Sequence, residues 1–261
     1  MIYGIDCATP LTDELIVLIK NEGYQFVGRY VVPETPALKW KALTRAEAER
    51  ISNAGLYLFS IYETTGKEAV GGKRSGIYHA EKAIARAADL GIPEYSAIYF
   101  AVDYEPLGDQ QLQDVYDFFT GVYDTMRYSS NHYLPGVYGC YRVVTKVAEF
   151  IPYLWQCAAW SYKLKSAHVD MYQSIETTLS DYKNVLHVDI NEARSIENVG
   201  AWKIEKETEK DPKIPTWYEP FRYWVSNNGI ADGTRPEDPA TRAEVWAMLK
   251  RLYDKFGVDT E

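Results

Sequence analysis

Residues 97–105 read AIYFAVDYE. A short apolar run, too brief for a helix, ends in two acids, Asp103 and Glu105. Such a run has the pattern of a buried strand whose far end carries charge. The same pattern recurs along the chain. Apolar runs occupy residues 2–6, 26–32, 57–62, 97–104, 136–141, 154–160, 169–173 and 185–190.

Between the runs lie segments of helical periodicity. Residues 12–21 form one. Residues 44–54 open with Thr44 and Glu47 at the spacing of a capping box and stop at Gly55. Residues 75–90 stop at Gly91 and Pro93, residues 109–128 are the longest, and residues 141–150 follow the fifth run. The connections from the sixth run to the seventh and from the seventh to the eighth are too short for full helices. Alternating strands and helices imply parallel strands with right-handed crossovers. Eight of them predict an α/β fold, a closed (β/α)8 TIM-like barrel over residues 1–198. An open doubly wound sheet is the alternative, but the first strand is followed by no Gly-rich phosphate loop. The barrel is shorter than the roughly 250 residues that are typical, and reduced late helices account for the deficit.

Composition excludes several classes. The chain is 46% hydrophobic and 25% charged, which is ordinary for a globular protein and argues against disorder. Its net charge of −9 argues against a nucleic-acid partner, which requires a basic face. No stretch approaches the length of a membrane helix. The opening MIYGIDCATP has neither a basic nor an apolar signal region, so no export signal is expected. Cys7, Cys140 and Cys157 are odd in number and widely spaced, which predicts buried free thiols. The four histidines have no metal-site spacing, and neither a metal nor another cofactor is expected. The 22 tyrosines exceed what a core needs, and their polar tips suit a wet, aromatic-lined surface such as a sugar site.

In a barrel of this kind the chemistry lies at the C-terminal strand ends. The acids placed there are Asp6, Glu63, Asp103, Glu105 and Asp189. Side-chain alternation along a strand sends Asp103 and Glu105 to one side. Closure of the barrel makes the first and eighth strands neighbours and brings Asp6 to Asp189. Converging carboxylates repel, and repulsion raises the pKa of at least one. A protonated acid beside an ionised one is what glycosidic cleavage requires. Binding of arginine or capping of loops would use the same acids, and a hard-metal site is a third reading. Aromatic residues recur at the same ends: Tyr62, Tyr104, Tyr138, Tyr141, Trp160 and Tyr172. Gln173 and Asn191 would offer polar edges to sugar hydroxyls. The proposed substrate-binding set is Tyr62, Glu63, Tyr104, Tyr138, Trp160, Gln173 and Asn191.

Three stretches carry a family resemblance: GIDCATP at 4–10, AVDYEP at 101–106 and HVDIN at 187–191. They resemble the Chalaropsis-type lysozymes, glycoside hydrolase family twenty-five. They look closer still to a related glycoside-hydrolase-like family found in actinobacterial and phage cell-wall proteins. The resemblance covers roughly residues 1–195. It implies an irregular barrel and cleavage of the bond from N-acetylmuramic acid to N-acetylglucosamine. It also implies that Glu105 is the general acid, that Asp103 steers the acetamido group or stabilises charge, and that Asp6 and Asp189 support them. Cys7 and Glu63 depart from the lysozyme pattern. A barrel of this ancestry that binds wall glycan without cutting it is the alternative.

After residue 198 the character changes. Residues 199–215 include the charged run KIEKETEKDPK and are assigned to a linker. Residues 216–261 are assigned to a small helical module, with Trp217, Phe221 and Trp224 at helical spacing and a second capping box at Thr241 and Glu244. The segment at 227–253 resembles one S-layer homology repeat, which implies binding to a secondary cell-wall polymer. So small a module is marginal alone, and self-association through it is a further expectation. Together these features resemble a bacteriophage endolysin, made in the cytoplasm and acting on the wall after release.

Overall fold

The computed structural model describes residues 1–204, 224, 225, 228–231 and 242–256. Eight strands form one closed barrel in chain order. They are β1 (Ile2–Asp6), β2 (Phe26–Tyr30), β3 (Tyr57–Tyr62), β4 (Ala97–Ala101), β5 (Leu134–Gly139), β6 (Tyr153–Cys157), β7 (Met171–Ser180) and β8 (Val185–Ala193). The connecting helices are α1 (Asp13–Asn21), α2 (Arg45–Asn53), α3 (Gly72–Leu90), α4 (Gly108–Arg127) and α5 (Tyr141–Val147), with a 3-10 turn at Glu68–Gly71 before α3. A short α6 (Ile196–Val199) follows β8.

The barrel is not wholly parallel. From β1 to β7 each strand is parallel to the next, but β8 runs antiparallel to both β7 and β1. A parallel return needs a crossover of a dozen or more residues, whereas residues 181–184 alone separate β7 from β8. They form a tight turn in which one Asp181 carboxylate oxygen accepts from the backbone N–H groups of Lys183 and Asn184, both at 2.8 Å. The shortness of this link was legible in the sequence; its consequence is an antiparallel closing strand.

Helix starts follow local chemistry. Thr12 accepts from the Leu15 N–H at 3.4 Å, and Thr44 accepts from the Glu47 N–H at 3.2 Å. The box at Thr44 is only half made. The Glu47 carboxylate instead takes the N–H groups of Leu11 at 2.9 Å and of fully buried Arg29 at 2.7 Å. Helix α3 ends at Gly91 in the left-handed region, φ 68°, where glycine carries no Cβ penalty.

The barrel lumen is filled by rings. Phe26, Phe59, Tyr99 and Trp155 meet edge to face, with centroids 5.1–5.9 Å apart. Phe26, Phe59 and Tyr99 each take their space from a glycine on the neighbouring strand, Gly4, Gly28 and Gly136. A Cβ at Gly4 would lie 2.3 Å from Phe26, and one at Gly28 2.3 Å from Phe59. This aromatic plug is the floor on which the mouth rests.

The chain divides into two compact units, Met1–Lys206 and Glu207–Glu261. Residues 199–204, assigned from composition to the linker, belong to the first. Trp202 is buried, pairs in antiparallel fashion with Leu58 on β3, and donates its indole N–H to Ser60 at 2.9 Å. Tyr99 donates to the Val199 carbonyl at 2.9 Å. In the second unit, α7 (Arg242–Phe256) bonds back to the described turn, with Arg251 donating to the Ile230 carbonyl at 2.8 Å. The remaining linker, Trp217, Phe221 and the Thr241 cap lie outside the described residues.

Candidate active site at the barrel mouth

The side-chain period of two decides which residues enter the mouth. On β3, Phe59 faces the lumen, so Glu63 two steps beyond Ile61 enters the mouth while Tyr62 faces outward. Tyr62 is indeed buried between barrel and helices. Its hydroxyl lies 3.0 Å from His79 Nδ1 and its ring packs on Phe100. Tyr62 is therefore not a mouth residue. Tyr104 likewise turns away, toward Asp114 of α4, and its buried hydroxyl has no partner among the described residues.

Asp6 closes β1 and pairs directly with Asp189 of β8. Because β8 is antiparallel, Asp189 lies in the middle of its strand rather than near its end. The barrel register still sets it opposite Asp6. Asp6 is 5% exposed, and one carboxylate oxygen accepts from Asn191 Nδ2 at 2.8 Å and Gln173 Nε2 at 3.0 Å. The Asn191 carbonyl accepts from the Trp155 indole at 2.8 Å, and the Gln173 carbonyl accepts from the Tyr138 hydroxyl at 2.7 Å. Two predicted polar residues and one predicted aromatic are thus joined on the floor of the mouth, with Trp155 as an unanticipated fifth member. Burial, reinforced by the charge on Asp189, pushes the Asp6 carboxyl up to about 7 despite these two hydrogen bonds.

Asp103 lies past the end of β4, in a loop. Its N–H donates to the Gly66 carbonyl at 3.0 Å. Gly66 has φ 77°, and a Cβ there would come within 3.0 Å of the Asp103 side chain. The loop around Gly66 is pinned by Glu68, whose carboxylate accepts from the Thr64 N–H at 3.1 Å and the Thr65 hydroxyl at 3.0 Å. Burial raises the Asp103 carboxyl, and Lys41 partly offsets this. Glu63 is raised by burial and opposed by the same lysine, whose Nζ lies 3.0 Å from its carboxylate. Lys41 also lies over the Tyr30 ring, 4.4 Å from the centroid. Arg29 holds both neighbouring loops, donating to the carbonyls of Cys7 and Lys41.

Asp189 is raised by burial, then by Glu176 and Asp103. Glu176, directly opposite it on β7, is an acid that the sequence reading missed. Strict alternation would put Gln173 and Glu176 on opposite faces. A bulge between Gln173 and Ile175 adds a residue and returns Glu176 to the mouth side.

Glu105 is placed differently. Strand β4 stops at Ala101, so alternation does not govern residues 103–105. Glu105 lies on the rim and accepts from the Tyr162 hydroxyl at 2.7 Å. Trp160, also on the rim, is 38% exposed. The structure therefore brings Asp6, Glu63, Asp103 and Asp189 into one electrostatic group and leaves Glu105 at its edge. Cys7, Cys140 and Cys157 are buried free thiols, and burial pushes Cys7 and Cys157 up to about 12.

A closed α/β barrel with acids gathered at its C-terminal mouth is of the glycoside-hydrolase-like class. Residues 18–224 match the family described as Rv2525c-like, glycoside hydrolase-like domain, and the chain belongs to that family. Among curated proteins, FadG of Bacillus subtilis is 30% identical over 146 residues, covering 55% of this chain. That match is 25% of FadG, so the chain spans about a quarter of the relative's length. The crystal structure of the Tat-secreted protein Rv2525c of Mycobacterium tuberculosis, in complex with L-tartrate, superposes with a TM-score of 0.63. It is 20% identical and covers 77% of this chain and 98% of that one. The Clostridium perfringens spore cortex lytic enzyme SleM has the same fold, with a TM-score of 0.51, 11% identity, and coverage of 75% of this chain and 68% of that one. No described helix is long and apolar enough to cross a membrane.

Proposed function

We propose that the barrel is a peptidoglycan hydrolase that cleaves glycosidic bonds of cell-wall glycan, in the manner of an N-acetylmuramidase. The observation that carries this reading is the group Asp6, Glu63, Asp103 and Asp189 at one mouth, with each carboxyl raised by burial or mutual repulsion. Asp6, pushed up to about 7, keeps its proton toward neutral pH, and the other three carboxyls are shifted in the same direction, the tuning that acid–base work on a glycosidic bond uses. In this reading Glu105 protonates the glycosidic oxygen from the rim. Asp103, partly exposed, faces the sugar and balances the positive charge that develops on it. Asp6 and Asp189 set the field from below, and Tyr138, Gln173 and Asn191 hold Asp6 in place. Family membership supports the class of chemistry, and the shared fold of SleM, a spore cortex lytic enzyme, is in keeping with the substrate. The second unit, in the same reading, engages a secondary wall polymer.

One observation favours a second reading, a barrel that binds glycan without cutting it. The Glu105 carboxylate is already engaged by Tyr162 and lies at the edge of the acid group. Release of reducing ends from purified Gram-positive walls separates the two. Wild type is expected to release them, and Glu105→Gln to abolish release while keeping wall binding. Wild-type protein that sediments with walls yet frees no reducing ends would leave the binding reading in its place.

A further inference from the structure

The loop from β6 to β7 is held in an unusual shape. Trp160, Tyr162 and Lys163 have φ of 52°, 50° and 66°. Left-handed backbone is uncommon for residues with a side chain, and bulky ones keep it only where their surroundings impose it. Here the surroundings are two buried polar side chains. Ser161 donates to the Cys157 carbonyl at 2.6 Å and accepts from the Tyr141 N–H at 2.9 Å and from Gln156 Nε2 at 3.2 Å. Gln156 also donates to the Leu164 carbonyl at 2.8 Å and accepts from the Ser166 N–H at 2.9 Å. Ser161 is drawn inward, and its two aromatic neighbours are turned outward. Tyr162 is 72% exposed.

A loop whose only task was to connect β6 to β7 would relax this backbone and bury its rings. Instead, left-handed geometry is retained, the Trp160 and Tyr162 rings stay exposed, and the Tyr162 hydroxyl donates to Glu105. An aromatic face with a polar tip suits the C–H face and hydroxyls of a pyranose. We infer that Trp160 and Tyr162 form a sugar-stacking subsite on the rim, one that receives a neutral pyranose unit of a glycan chain leaving the mouth past Glu105. The inference rests on the glycan reading above and adds to it a fixed direction for the chain and a role for Tyr162.

The test uses the full chain and N-acetylglucosamine oligosaccharides from disaccharide to hexasaccharide, with binding followed by calorimetry. Wild type is expected to bind the hexasaccharide more tightly than the disaccharide. Trp160→Ala and Tyr162→Ala should each weaken hexasaccharide binding by about tenfold, the upper range for one aromatic contact, and leave the disaccharide unchanged. Tyr162→Phe, which keeps the ring, should retain most of the length dependence and guards against a loop that simply collapses. Alanine variants that match wild type at every length would overturn the subsite. So would a wild type without length dependence. Loss of reducing-end release in Asp103→Asn, measured in parallel on walls, reports on the glycosidase reading alone. It distinguishes a failed subsite from a failed function.

Discussion

The floor and the rim of the mouth are built on opposite terms. On the floor, Asp6 is almost wholly out of water, and its neighbours Asn191, Gln173, Tyr138 and Trp155 spend their polar groups on one another. On the rim, Glu105 and Tyr162 meet in solvent, and Asp103 is carried by a loop rather than a strand. Burial makes the floor rigid and raises its carboxyl, because an ionised group loses hydration that two amide donors do not fully replace. Exposure leaves the rim accessible. The contrast suggests a division of labour in which the floor sets the electrostatic field and the rim meets the substrate.

After the loss of release in Glu105→Gln, the largest expected effect again tests the rim. Asp103→Asn should lower reducing-end release by about a hundredfold or more, the range for losing one acid–base or charge-stabilising group. A change of less than threefold would move the chemistry away from the acid group. The next tests the floor. Folded Asp6 titrates near 7 and its ordinary value is 3.8, so the folded state keeps a proton that the unfolded chain releases between those values. Stability is therefore expected to fall as pH rises through that window, by at most about 4 kcal/mol for this one group. Asp6→Asn should abolish this loss. Urea melts of both proteins at acidic and mildly alkaline pH should diverge with rising pH in favour of the variant; a constant gap would contradict the buried-acid account.

A smaller effect is expected from Trp155→Phe, which leaves the Asn191 carbonyl without its indole donor. A cost of about 1–3 kcal/mol in urea unfolding is expected, with coupling to Asn191→Ala in a double-mutant cycle. Independent effects would separate Trp155 from the network. The smallest should come from Tyr162→Phe. An exposed hydroxyl contributes little to folding, so stability should stay within about 0.5 kcal/mol of wild type. A loss several times larger would make the rim as structural as the floor and dissolve the comparison.

Much of this mouth was legible in the chain. Asp6 and Asp189 follow or interrupt apolar runs, and Gln173 and Asn191 share those runs, so period two and barrel closure bring them together; Asp103 follows its run but is placed by a loop. Tyr62 was grouped with the strand-end aromatics, but alternation sends it to the face opposite Glu63. Glu105 was assigned to the face of Asp103 by extending β4 beyond Ala101. Lys41 and Tyr162 sit in loops, where no period constrains direction. Glu176 depends on a bulge, which no spacing rule anticipates.

Apolar spacing along the chain set the number of strands, the order of helices and the acids available to the mouth. Apolar periodicity and helix stops are local, and burial enforces them wherever the chain goes. Packing of the folded chain set the antiparallel return of β8, the pairing of Glu176 with Asp189 and the seating of residues 199–204 on the barrel. It also decided that Asp6 titrates near 7 while Glu105 lies against Tyr162. Those outcomes depend on which groups exclude water from which others, and that is a property of contacts between residues far apart in the chain.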